Sequence, residues 1–405
     1  MKRLTEAIGK KDSRFTGELR QMGSSLEGTR IGDPDEYDFA IILTKFSNTL
    51  RKPIPSNLIG FYSLKMDSDR ETRKTFETDE HRCEHNDHPY DFREFFEDEF
   101  LHTTLVQQKF ETLIAQVLLD SEFWSNELYL ELSVKSSKIW EARQAAHHSV
   151  CLTLTLQVSR KIGDENGDYF FSDISVDIVP SLQIKGWLPD EAVFPFSDDD
   201  ATDNLLSGSG CILVFSQPNR VYEGIRYSRT SARVSYAIAE SRLIKSCPPV
   251  VKAAYMIGKV LQKYTTESMF SSYVLKTAVL LSVAEVFTSC KDLNQAPSNV
   301  DPKVLTDWIR RILSHLFAFA LHDDVPTFFM PTFLLPVWKF ESYVQFTKLS
   351  LQRRDLDYLD CGAEFGDIGR GVALIHLLYW SVLEDGADIV VKLPDISNYR
   401  KVVYS

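Results

Sequence analysis

Two kinds of hydrophobic periodicity divide the chain. In the first half, short apolar runs alternate with turn-forming residues: FAIIL, LYLELSV, VCLTLTLQV and ISVDIVPSLQI. Val, Ile, Leu and Thr at that spacing predict strands of a twisted sheet, because branched side chains pack well on a pleated surface. A polar stretch rich in Asp, Glu and Arg spans 67–99, and a helical pattern runs from about Phe100 to Leu119. GDENGD reads as the turn of a hairpin and SDDDATDN, near 197–204, as an acidic loop. The second half repeats apolar residues at three- and four-residue spacing. VVKAAYMIGKVLQKY, SSYVLKTAVLLSVAEVF and PKVLTDWIRRILSHLFAFAL each predict a helix, with Asp301 and Pro302 at the N-cap and first position of the third. Leu316, Phe317, Phe319 and Leu321 are core candidates there. FFMPTFLLPVW, punctuated by prolines, reads as an irregular packing segment, and VALIHLLYWSVL and ADIVVKL, within 351–405, carry no readable role.

Length and charge narrow the class. A chain of 405 residues exceeds one ordinary core, so two lobes are expected. The richest apolar run, LKTAVLLSVAEVF, is short and interrupted by Lys276 and Glu285, too little to span a bilayer. MKRLTEAIGKKDSRF is basic without an apolar core, unlike a secretory signal. The six cysteines, at 83, 151, 211, 247, 290 and 361, show no CxxC spacing, which suits a reducing compartment; the cytoplasm is the expected location. A net charge of -12 excludes a surface that coats nucleic acid throughout. It leaves room for a local basic face, for which Lys2, Arg3, Lys10, Lys11, Arg14 and Arg20 are candidates; a solvated, partly frayed terminus is the alternative.

Candidate chemistry concentrates in GSSLEGTRIGDPDEYDFAIIL, residues 23–43. On a strand, Glu36 and Asp38 share a face while Tyr37 and Phe39 point the other way. Two carboxylates aimed at one volume repel unless they are solvated, protonated or share a cation. Hard oxygen donors suit Mg²⁺ (or Mn²⁺), which commonly arrives with substrate phosphates. Gly23 permits close backbone approach to a phosphate, and Ser24 and Ser25 offer donors. Asp177, in ISVDIVP, sits on the face opposite Ile174, Val176 and Ile178 and is the best third carboxylate for a two-metal site. Asp173 shares that face but stands beside a turn. In HRCEHNDH, His81, Cys83, His85 and His88 are ligand types at the spacing of no common zinc motif; a solvated loop is the alternative.

Together these blocks resemble the DNA-polymerase-beta-like nucleotidyltransferases. They are most similar to cyclic GMP-AMP synthase and its animal relatives, the cGAS-like receptors and male-abnormal-type (Mab-21) proteins. ISVDIVPSLQIKGWLP resembles the family's third-acid strand with the Trp-Pro after it, and RVSYAIAESRLI the segment opening its helical lobe. FSSYVLKTAVL resembles the FSSY-x-x-KT helix start, and FFMPTFLLP the segment after the last helices; the ordered likeness covers about 13–350. The resemblance implies an α+β, bilobed fold: a catalytic lobe with a mixed, twisted sheet (1–232), a helical lobe (233–350) and an extension (351–405), with substrate in the cleft between the lobes. It implies that Gly23, Ser24 and Ser25 hold the triphosphate and that Glu36, Asp38 and Asp177 bind the metals. Arg233 and Ser235 would face base and phosphates, and Ser272, Tyr273 and Lys276 would complete the donor site.

The implied activity is synthesis of a cyclic dinucleotide from ATP and/or GTP when double-stranded nucleic acid binds, as a dimer on it, with signalling through a STING-type receptor. Two departures stand out. The zinc thumb of vertebrate cyclic GMP-AMP synthase is missing where ESRLIKSCPPVVK runs into the next helix, and Cys247 alone cannot make a four-ligand site, which favours RNA over DNA. The basic spine helix has barely a dozen residues available, so either the chain is shortened there or its sensing surface is reduced. A linear oligonucleotide synthase resembling oligoadenylate synthase and a catalytically silent scaffold are the alternative functions.

Overall fold

The computed structural model describes residues 1–32, 36–56, 60–67, 92–97, 99–120, 123, 132–134, 152–161, 169–192, 196, 211–215, 230–262, 271–287, 289, 292–293, 299–322, 324–327 and 329–336. HRCEHNDH, GDENGD, the acidic loop and everything beyond 336 lie outside the described residues. The chain forms two compact units. One comprises Met1–Glu27, Gly32–Leu188 and Leu206–Ser241; the other comprises Gly28–Ile31, Pro189–Leu205 and Arg242–Ser405.

The first unit contains α1 (Lys2–Lys11), β1 (Gly17–Met22), α2 (Gly23–Glu27), β2 (Glu36–Leu43), α3 (Thr44–Thr49), β3 (Ile54–Pro55) and β4 (Phe61–Ser63). It continues through β5 (Phe96–Glu97), β6 (Phe100–Leu101), α4 (Thr103–Leu118), β7 (Leu132–Val134), β8 (Leu152–Lys161), β9 (Tyr169–Leu182), β10 (Ile212–Val214) and β11 (Ser231–Ser235). The main sheet has nine strands in the order β1-β2-β9-β10-β11-β4-β3, with β8 also on β9 and β7 on β8. Among the described residues only β2 and β9 pair in parallel, so the sheet is mixed, as expected. The expected hairpin is β8 against β9, closing at Lys161 opposite Tyr169.

The run FAIIL does not alternate because β2 is covered on both faces: Ala40, Ile41, Ile42 and Leu43 are all buried. On one face, Ala40 and Ile42 join Met22, Val179, Ile212, Val214 and Ile238 in a single cluster. Elsewhere in this unit Phe15 meets Phe46 and Phe95 edge-to-face, with ring centroids 5.3 and 5.8 Å apart, and Phe110 at 6.3 Å.

The amino terminus is packed rather than frayed. Leu4 and Ile8, one helical turn apart on α1, are buried. Four of the six basic candidates have partners: Arg3 lies over the Phe123 ring, Lys11 pairs with Asp120, Arg20 with Glu18, and Arg14 with Asp12 and Glu94. Arg14 is 2% exposed, yet burial, which lowers its pKa, is outweighed by the bonds and charges of Asp12 and Glu94, which hold it above its ordinary value. Asp12 grips it through Nε at 3.0 Å and Nη2 at 2.7 Å and is itself fully buried. Asp12→Ala would remove the buried one of the two carboxylates on Arg14 and keep Glu94, whose side chain is 50% exposed, with the Phe95 ring 4.7 Å from the guanidinium. That variant is expected to lose about 3 kcal/mol of unfolding free energy, read from its denaturant midpoint.

α5 (Ala237–Ser246) begins in the first unit and ends in the second. The second unit continues with α6 (Pro249–Leu261), α7 (Ser272–Val286), α8 (Pro302–His322), β12 (Asp324–Thr327) and β13 (Met330–Pro336). Asp301 caps α8 as expected, its Oδ1 accepting from the Lys303 N–H at 2.7 Å, and Leu316 and Phe319 are core residues. Buried residues ring α7 rather than forming a stripe: Val274, Leu275, Ala278, Val279, Leu280 and Val283 leave it little exposed surface, which marks a central helix. Between α7 and α8, Glu285 meets His315 at 3.2 Å; burial raises the Glu285 pKa, but His315 and Arg311 together hold it below its ordinary value.

The expectation of irregular structure at FFMPTFLLPVW is corrected. Met330–Pro336 is a strand, antiparallel to Asp324–Thr327. Of the ribbon's three prolines, Pro336 opposes Asp324 and Pro326 opposes Leu334, pairs of the same parity, while Pro331 lies next to the register shift, outside the paired positions.

Candidate active site

Backbone register builds the site. The parallel β2–β9 ladder sets Asp38 opposite Asp177 and Glu36 opposite Ser175, so acids separated widely in sequence become neighbours on one face. Carboxylate oxygens of Glu36, Asp38 and Asp177 lie within 4.8 Å of one another; Glu36 is exposed and the other two are half-buried. Further along the same face the acids give way to Ala40, Ile42 and Val179, so an apolar floor lies directly behind them. Asp177 therefore shares its face with core residues, not only with solvent; both faces of β9 are packed.

Sequence reasoning missed Thr153. It stands opposite Asp177 on the other edge of β9 and donates its hydroxyl proton to Oδ1 at 2.5 Å. The polar threonine in CLTLTL was the available signal, but its meaning depends on the hairpin register.

Gly23 follows the last pair of the β1–β2 ladder, Met22 opposite Asp38. Its φ is +70°, and a Cβ built there would meet Asp38 Oδ2 at 1.9 Å, so only glycine fits. Ser24 and Ser25 follow in α2, a five-residue helical turn, and both are half-buried. The neighbouring Asp33 and Pro34 lie outside the described residues.

Arg233 opposes Val214, which in turn opposes Ser181, while Ser235 opposes Ile212. Since Ser181 has the parity of Asp177, Arg233 and Ser235 lie on the sheet face that carries the acids, and both are half-buried. Ser235 Oγ also accepts from the Ala237 N–H at 3.4 Å, where α5 begins. Ser272, Tyr273 and Lys276 occupy the opening turns of α7 in the second unit; Ser272 is exposed and the other two half-buried.

The donor set of three carboxylates is hard, flexible and anionic, which fits a divalent cation such as Mg²⁺ or Mn²⁺ better than a thiophilic metal. A mixed sheet that presents such a cluster beside a glycine turn, followed by helices, defines the nucleotidyltransferase fold. Consistent with that class, residues 25–246 match the family model of the Mab-21 protein nucleotidyltransferase domain, more than half of the chain. The chain belongs to the Mab-21 family. The match ends with α5, and Gly23 and Ser24 stand just before it. No curated protein matches the chain in a sequence comparison. Among the described residues, no helix is long and apolar enough to cross a membrane.

Proposed function

We propose that the chain is a metal-dependent nucleotidyltransferase that joins nucleoside triphosphates, ATP and/or GTP, into a cyclic dinucleotide with release of pyrophosphate. The observation that supports this most directly is the register of Asp38 against Asp177, which gathers three carboxylates within 4.8 Å beside Gly23. Glu36, Asp38 and Asp177 would hold the Mg²⁺ or Mn²⁺. Bound there, the ions would acidify the attacking ribose hydroxyl and neutralise charge on the departing pyrophosphate. Asp177, held in place by the Thr153 hydroxyl on its Oδ1, accepts the hydroxyl proton. Gly23 lets the backbone approach the triphosphate, with Ser24 and Ser25 as donors. Arg233 and Ser235 face base and phosphates from the acid-bearing side of the sheet. Ser272 and Lys276 hold phosphates, and Tyr273 stacks on a base, completing the donor site.

Functionally, 1–232 is then the catalytic lobe, 233–350 the helical lobe and 351–405 an extension. The activator is double-stranded RNA rather than DNA, bound by a dimer in the cytoplasm, and the product serves a STING-type receptor. Support for RNA comes from the join between α5 and α6. Only Cys247 and Pro248 separate them, and Cys247 is buried, donating to the Leu243 carbonyl at 3.3 Å, so no zinc-bearing insertion occurs there.

The test is incubation with the four NTPs, Mg²⁺ or Mn²⁺, and duplex RNA or duplex DNA. A phosphatase-resistant dinucleotide, made with RNA and absent in Asp177→Ala, is the expected product. A ladder of linear oligomers would replace cyclisation with an oligoadenylate-synthase-like reaction. No product under any condition, with Asp177→Ala indistinguishable from the parent, would leave a silent scaffold.

A further inference from the structure

A single hydroxyl holds both ends of the turn that carries Gly23 and the two serines. Ser241, on α5, is fully buried; its Oγ accepts from the Gly23 N–H at 3.1 Å and donates to Glu27 Oε1 at 2.9 Å. Glu27 closes α2 and is also fully buried. The contacts span 218 and 214 residues of sequence, so they belong to the tertiary structure rather than to the local turn. At five residues, α2 is too short to hold its own shape, and its position is imposed from outside.

The chemistry of the chain of bonds is directional. A serine hydroxyl has one proton to give and lone pairs to offer. The Glu27 carboxylate, which only accepts when ionised, commits that proton and turns a lone pair towards the Gly23 amide. The Gly23 backbone is thereby fixed where it leaves no room for a Cβ against Asp38 Oδ2. Ser241 also sits six residues after Ser235 on the segment that leaves β11, which ties the glycine turn to the strand bearing Arg233.

We propose that Ser241 and Glu27 are positioning residues, a clamp that holds the Gly23–Ser25 turn where it receives the nucleotide triphosphate. The assignment rests on the nucleotidyltransferase reading and adds to it two residues that touch neither substrate nor metal.

Full-length protein, Ser241→Ala, Ser241→Thr and Glu27→Gln are compared in two measurements. Hydrogen exchange at the Gly23 amide reports the clamp itself. Affinity for a non-hydrolysable ATP or GTP analogue with Mn²⁺, together with the split of KM from kcat, reports its purpose. Ser241→Ala is expected to speed exchange at Gly23 and to raise Kd and KM about tenfold, the loss expected for one buried hydrogen bond, with kcat little changed. Ser241→Thr restores both, and Glu27→Gln shifts both in the same direction by less. Unchanged exchange in Ser241→Ala would overturn the clamp. Faster exchange with parental nucleotide affinity, or a lowered melting temperature alone, would overturn its positioning role. A parental protein that binds no nucleotide would sink the nucleotidyltransferase reading and that role together, whatever the exchange shows.

Discussion

Asp177→Asn is expected to abolish nucleotidyl transfer, slowing it by about a thousandfold or more, while leaving the fold intact. Asparagine is nearly isosteric and its carboxamide oxygen still accepts from Thr153, so packing on β9 survives. What disappears is one of three negative charges lying within 4.8 Å of one another. In the absence of divalent ions, removing it relieves repulsion worth about 1 kcal/mol per close pair in water, so the variant should melt at or slightly above the parental temperature. Adding Mn²⁺ should raise the melting temperature of the parent and not of the variant. A variant that is inactive and also markedly less stable would assign Asp177 to the core rather than to the chemistry.

Gly23→Ala should have the next largest effect, a loss of turnover of about a hundredfold or more. The new Cβ would lie 1.9 Å from Asp38 Oδ2 and 2.8 Å from its Cγ, so the carboxylate must leave its place among the three acids. A second cost, about 1–2 kcal/mol, comes from holding alanine at a φ of +70°. Gly28→Ala separates the two costs, because Gly28 has the same φ of +70° but nothing within 4 Å of its built Cβ. It should lose comparable stability, measured by denaturant titration, and retain parental turnover. Equal loss of activity in both variants would mean that backbone strain, not displacement of Asp38, inactivates the enzyme.

The acids and the glycine were legible in sequence because local rules fix them: residues two apart on a strand share a face, and FAIIL marks that strand as buried. Their meeting was not. The β2–β9 pairing joins segments far apart in sequence, and no local pattern encodes the register that sets Asp38 against Asp177. Thr153 and Ser241 were missed for the same reason, since each acts through a partner on a different element. Nothing within GSSLEG reveals the complete burial of Glu27. At the amino terminus the opposite error occurred. Basic composition suggested a partly frayed end, whereas the four-residue spacing of Leu4 and Ile8 already described a packed helix. In the second unit, prolines were read as breakers, whereas a two-stranded ribbon accommodates them where its ladder requires no N–H or where its register shifts.

β9 is held by β2 along one edge and by β8 and β10 along the other. Asp177 thus takes its coordinates from a hydrogen-bonded lattice shared among four strands, not from the packing of any one side chain. Such a lattice separates two kinds of change. Substitutions on the faces of the sheet can drift and alter what the site accepts, while a gain or loss of one residue within β9 turns the acid over to the opposite face. For this chain, indels in one fourteen-residue strand are the more dangerous class of variation.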